Sequence, residues 1–339
     1  MSLNFTNPEG VAGSGALVIS LDFELYWGVR DFVALDRRER ERLLAARAAI
    51  PRILDLFEEF SIHATWATVG ILFARTREEF EEFRPKSVPK YRNTAFDPYR
   101  EKLGRDESED PFHFAPSLIA EIASRPGQEI ASHSFSHYYC LEEGSTIEDF
   151  EADLASAVHL ARDTGYELRS YVFARNQVNL ACVPSLRRAG IESYRGVEEV
   201  EAKRPTSFRQ QRRLKNRLSR LLDGYWDLDG SQTVKWPEPS STVCLPASRY
   251  FRPFNKTFRK FDGLLRERIR KAMLHAAEHR EIFHLWWHPE DFAESLDANI
   301  RNLREVLRIF SNYHARYGMA SMSMSELSMS LAPHSSLVV

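Results

Sequence analysis

Cysteine is scarce in this chain: Cys140, Cys182 and Cys244 are the only three among 339 residues, widely spaced and without a C-x-x-C pair. An odd number so arranged argues against a disulfide framework and a thiolate zinc site, and leaves buried free thiols as the ordinary reading. Long apolar runs are lacking too. No stretch reaches the roughly 18 apolar residues of a membrane span, and residues 1–15 show no charged start leading into an apolar core. The expectation is a soluble cytoplasmic protein without a transmembrane segment. An excess of one charge is also missing, since 46 Lys and Arg stand against 48 Asp and Glu, a net charge of −2. Such a balance gives no global pull toward nucleic acid or an anionic membrane, so nucleic acid is not an expected partner.

What is present is apolar content of 43%, enough to bury a large core. Residues 16–21, Ala-Leu-Val-Ile-Ser-Leu, read as a strand buried on both faces that stops at Asp22. From Asp36 to Phe60 apolar residues recur with a helical period, at Leu43, Leu44, Ile50, Ile53, Leu54 and Phe57, with Pro51 a candidate kink. Residues 62–69 read as a second strand. Further strand-then-helix units fall at 129–132, at 170–173 with 180–189, at 192–194, and at 282–287 with 295–310. Strands alternating with helices imply a parallel sheet, open or closed into a barrel. Residues 75–116, rich in charge, proline and aromatics, read as an insertion over the barrel mouth. The tail after Ala320, with its Ser/Met alternation, reads as weakly ordered.

Three short segments carry candidate chemistry. His133-Ser-Phe-Ser-His137 follows an apolar strand, and one helical turn there would put both imidazoles on one side, close enough to share a cation. Asp22-Phe23-Glu24 offers two carboxylates on one side of an extended strand end, because alternate residues point the same way. The late segment Leu285-Trp-Trp287-His288-Pro289 ends an aromatic strand at a histidine locked before a proline.

Taken in order with Phe173-Ala-Arg175-Asn176-Gln177, these segments resemble the motifs of the polysaccharide deacetylases, carbohydrate esterase family 4, over roughly residues 17–292. The resemblance implies an incomplete, distorted (β/α) barrel of about seven strands in a single domain, spanning 16–312 with the insertion at 75–116, between an N-terminal extension at 1–15 and a tail at 313–339. It also implies a divalent metal, zinc being the usual one, at the carboxyl ends of the strands. By position, Asp22 matches the general base, His133 and His137 metal ligands, Arg175 the residue that orients the base, and His288 the general acid. The implied activity is a metal-dependent amidohydrolase that removes N-acetyl groups from an amino sugar in a glycan or glycan precursor. Related readings are hydrolysis of a small non-sugar amide and an inactive carbohydrate-binding relative.

The chain departs from the pattern in places. The family usually has adjacent aspartates, whereas Phe23 follows Asp22, which makes Glu24 the expected third ligand. Arg175 lacks the proline and aromatic residue usual after it, so the pocket rim is expected to be remodelled. Asn176, Trp287 and Tyr138, next to the motif residues, are candidates for substrate contact, and Asp227 and Asp229 for support of His288. Seven basic residues from Arg204 to Arg220, with no acid among them, suit either a solvated helix face or a diphosphate-linked sugar carrier, whose lipid-linked form would bring peripheral membrane contact.

Overall fold

The computed structural model describes residues 14–197, 232–257 and 259–331. Candidates at Asp227, Asp229 and Arg204 to Arg220 lie outside the described residues. Ala16–Phe23 forms β1, every residue of it buried, as the apolar run requires of a strand covered on both faces. It lies inside one parallel sheet whose strands follow the order β6, β5, β4, β3, β2, β1, β8, β7. These are β2 (Ala64–Thr68), β3 (Gln128–Ser132), β4 (Ser170–Val172), β5 (Ser193–Gly196), β6 (Val243–Pro246), β7 (Arg249–Tyr250) and β8 (Ile282–Trp287).

The two ends of the sheet are neighbours in sequence. Only Ala247 and Ser248 separate β6, paired with β5, from β7, paired with β8. One interrupted strand thus spans the gap, and the sheet curls into an incomplete, distorted (β/α) barrel. Counted as one, β6 and β7 make the path the seven strands expected from sequence.

Helices cover the outside. The first, α1 (Arg37–Glu59), begins at Asp36, whose carboxylate accepts from the Glu39 N–H at 2.9 Å, and runs on through Pro51. Its Leu43, Ile50, Ile53, Leu54 and Phe57 are buried, and Phe57 meets Trp66 of β2 and Trp287 of β8 edge to face, centroids 6.3 Å apart in both pairs. Further described helices are α2 (Arg77–Phe83), α3 (Pro116–Ser124), α4 (Ile147–Asp163), α5 (Val183–Arg188), α6 (Asp262–His279) and α7 (Leu296–Tyr317). No described helix is long and apolar enough to cross a membrane.

The tail corrects the sequence reading. Ala320–Met322 forms β9, which pairs with the first half of the β1 edge (Ala16 to Val18), while β2 takes the second half (Ser20 to Phe23). Then α8 (Met324–Ser330) starts with a reciprocal cap between Ser323 and Glu326. Met322, Met324 and Leu327 pack in one apolar cluster with Val18, Val172, Val243 and Ile282. The Ser/Met alternation that suggests weak order is a capping serine, Ser323, set between two core methionines, Met322 and Met324.

Candidate active site at the strand ends

Ser20 and Asp22 share one face of β1, and Glu24 follows at the strand end. Asp22 and Glu24 are buried. The Asp22 carboxylate is gripped at both oxygens by Arg195 of β5, at 2.6 Å each. The same guanidinium donates to Ser20 Oγ at 3.0 Å and Asn176 Oδ1 at 2.9 Å, and stacks 4.5 Å from the Trp286 ring centre. Burial alone would raise the Asp22 pKa, but Arg195, aided by His133 and His288, outweighs it and holds the carboxyl below its ordinary value, so Asp22 is ionised at neutral pH.

The two histidines stand on a loop rather than a helical turn. Ser134 and His137 have φ of 63° and 58°, left-handed values that no helix repeats. Buried Asp153 of α4 holds the loop instead, accepting from the Phe135 N–H at 2.7 Å, the Ser136 N–H at 3.1 Å and the Ser136 hydroxyl. So held, both rings converge on Glu24 Oε1, His133 Nε2 at 2.8 Å and His137 Nε2 at 3.1 Å. Burial drops the His137 pKa to about 4, leaving a neutral ring at pH 7.

These three donors, all within 4.8 Å of one another, fit a divalent metal. Two imidazoles and a carboxylate are a zinc-type donor set. His133 Nδ1 lies 2.9 Å from the Val172 carbonyl, a backbone acceptor that orients the ring and turns Nε2 toward Glu24. Behind His137 stands a second chain of contacts: Nδ1 to the Tyr139 hydroxyl at 3.2 Å, that hydroxyl to Asp31 at 3.3 Å, and Asp31 to Arg175 at 2.5 and 2.7 Å.

His288, after β8, closes the site. Its Nε2 lies 3.8 Å from both Asp22 and Glu24, and its N–H and Nδ1 meet Asp291 Oδ2 at 3.0 and 3.3 Å. Tyr250 donates to the same Asp291 oxygen at 2.6 Å. Burial works against a charged ring here, yet Glu24, Asp291 and Asp22 raise the His288 pKa well above its ordinary value. A cavity of about 390 Å³ opens over these groups, walled by Leu25, Val29, Phe32 and Trp286 and by Arg175, Asn176 and Glu290.

No protein-family model and no curated protein matches the chain. Solved structures do. A protein from Mycobacterium smegmatis described as a polysaccharide deacetylase aligns with a TM-score of 0.60 at 14% identity, over 94% of this chain and 91% of that one. Another so described, from Pseudomonas aeruginosa PAO1, aligns with a TM-score of 0.54 at 10% identity, over 96% and 94%. The chain has the polysaccharide deacetylase fold. Puue allantoinase shares it, with a TM-score of 0.53 at 12% identity over 96% and 93% of the two chains.

On this polysaccharide deacetylase fold, five of the six residues assigned from sequence to chemistry and metal come together: Asp22, Glu24, His133, His137 and His288. Arg175 does not take the place expected of it. The guanidinium on Asp22 belongs to Arg195, one strand further on, and Arg175 braces Asp31 and Tyr139 on the histidine side. Of the substrate candidates, Asn176 lines the cavity. Trp287 is fully buried against Phe57, Phe251 and Phe292, because β8 alternation turns Trp286 inward instead. Tyr138 is buried against Phe150, with its hydroxyl on the Thr146 carbonyl at 2.7 Å. The partner of His288 is Asp291, legible as the third residue after a histidine that caps the following turn. Arg195 and Asp153 carried no local signal, since each acts on a residue far away in sequence.

Proposed function

We propose that this protein is a zinc-dependent amidohydrolase that removes the N-acetyl group from an amino sugar in a glycan or glycan precursor. The observation that carries the reading is the convergence of Glu24, His133 and His137 beside Asp22 and His288, five side chains from three strand ends, four of which line one cavity with His133 buried behind them. Glu24, His133 and His137 would hold the metal, which when bound polarises the amide carbonyl and makes water more acidic.

The protein's own groups supply the rest. Asp22, kept ionised and oriented by Arg195, takes the proton from the attacking water. As the carbonyl carbon gains the water oxygen and the carbon–nitrogen bond breaks, His288 delivers a proton to the departing nitrogen, which would otherwise leave as an unstable anion. Asp291, itself held by Tyr250, keeps the His288 ring aimed inward. Asn176 and Trp286, at the cavity wall, are placed to touch the sugar.

The test is acetate release with zinc present, across N-acetylated monosaccharides, oligosaccharides and diphosphate-linked sugars. Small cyclic amides, followed by ring opening rather than acetate release, belong in the panel because a structure of the same fold is named an allantoinase. Wild type should release acetate from an amino sugar, and Asp22→Asn should lose turnover while keeping its metal. Turnover confined to a non-sugar amide would replace the substrate assignment, and an inert wild type with zinc bound would remove the enzyme reading altogether.

A further inference from the structure

Glu24 leaves β1 through a corner that the chain does not favour by itself. Leu25 sits at φ 48°, left-handed backbone that side-chain-bearing residues rarely adopt and that persists only where surroundings impose it. Both amides of this corner end on one atom. Oε1 of buried Glu290 accepts from the Leu25 N–H at 2.5 Å and from the Glu24 N–H at 3.2 Å. Glu290 is itself anchored, its carbonyl accepting from Arg42 of α1 at 3.3 Å, with Arg42 held by Glu39. The turn has other tethers, with Trp27 N–H on the Glu24 carbonyl at 3.1 Å, Tyr26 N–H on the Phe112 carbonyl and Trp27 Nε1 on the His113 carbonyl, but Glu290 is the side chain that takes the two corner amides.

We propose that Glu290 is a positioning residue for the metal site: its Oε1 pins the Glu24–Leu25 corner, so that the Glu24 carboxylate is delivered onto His133 and His137. The inference rests on the reading of Glu24, His133 and His137 as metal ligands. Glu290 lies two residues beyond His288, so one side chain ties the strand end bearing the acid to the strand end bearing the carboxylate ligand. What the corner needs is an acceptor oxygen at that point, and a glutamine side chain can offer one as well as a carboxylate.

Zinc affinity by competition with a chromogenic chelator tests this on wild type, Glu290→Gln, Glu290→Leu and Glu290→Ala, with circular dichroism to confirm folding. Loss of a group supporting a ligand typically lowers metal affinity about 10- to 100-fold, the loss expected for Leu and Ala. Gln should stay within about threefold of wild type by the same reasoning. Leu binding zinc as tightly as wild type overturns the proposal, and so does Gln binding as weakly as Leu. A wild type that binds no zinc removes the metal reading and this inference with it, which separates the two failures. Should Leu and Ala both fail to fold, amide hydrogen exchange of Glu24 and Leu25 in zinc-free wild type decides. Protection supports the clamp, and free exchange overturns it.

Discussion

Two arginines divide the work at the strand ends. Arg195 is fully buried on Asp22, and breaking a buried pair by removing one partner typically costs about 3–5 kcal/mol. Its removal also changes Asp22, the proposed base. Without that cation the burial of Asp22 is opposed only by His133 and His288 and its pKa rises, so a larger share of Asp22 is protonated at low pH. The acid limb of the pH–rate profile in Arg195→Leu should therefore move to higher pH, whereas Arg175→Leu, acting on Asp31 and Tyr139, should leave that limb in place. Profiles of kcat for both variants decide it, and a limb displaced equally in both would return Arg175 to the base. Gly28 is constrained by the same cavity, since a Cβ there would lie 1.7 Å from Glu24 Oε2. Gly28→Ala should displace that carboxylate and weaken zinc binding by about tenfold or more. Unchanged zinc affinity would mean that Glu24 is not a ligand. Five of the eight described non-glycine residues with positive φ, Leu25, Ser134, His137, Arg175 and Asn176, belong to this site. Strain of that kind collects where geometry serves chemistry, and no sequence periodicity announces it.

At the scale of elements, the clearest case is the tail, where β9 and α8 complete the strand-start end of the barrel. The helix start is anchored to the sheet by Met324 N–H on Thr65 Oγ1 at 2.8 Å and Ser325 N–H on Glu129 Oε2 at 3.1 Å. A titrating pair adds to this: His63 Nδ1, just ahead of β2, lies 2.7 Å from Glu326 Oε1. The hydrogen bond to Glu326 raises the His63 pKa above its usual 6.5, outweighing burial. For Glu326, burial pulls upward but His63 wins and lowers its pKa below the usual 4.5. The His63 contribution is thus complete below pH 6.5 and lost as pH rises through its folded value, and the Glu326 contribution is complete above pH 4.5 and lost as pH falls. Denaturant titrations of wild type and His63→Gln should differ most between about pH 4.5 and 6.5, with the gap narrowing on both sides. A gap independent of pH would show that the ion pair does not dock α8. The capping box Ser323-x-x-Glu326 was readable in the sequence; its packing under the barrel was not, because Thr65 and Glu129 lie about 200 to 260 residues away in the chain.

For the whole molecule, the proposed metal site joins Glu24 to histidines more than 100 residues away, so a bound ion should stabilise the global fold. Free zinc at 100 times its dissociation constant would contribute about 2.7 kcal/mol if the unfolded chain does not bind it. Wild-type Tm should rise with zinc and fall back with chelator, and His133→Ala or His137→Ala should show little of the rise. An equal zinc-induced rise in the alanine variants would place the ion elsewhere. By itself the sequence determined the strand-and-helix alternation, the apolar β1 and the pairing of Asp22 and Glu24 with two histidines and a late one. The first two rest on local periodicity, and the third on the ordered motifs that resemble those of the polysaccharide deacetylases. Tertiary structure alone decided that Arg195 rather than Arg175 holds Asp22, that Trp286 rather than Trp287 faces the cavity, and that Asp153 and Glu290 hold the backbone beside His137 and at Glu24. Each depends on which strand lies beside which and which face turns inward, and a parallel barrel sets both through contacts between residues far apart in the chain.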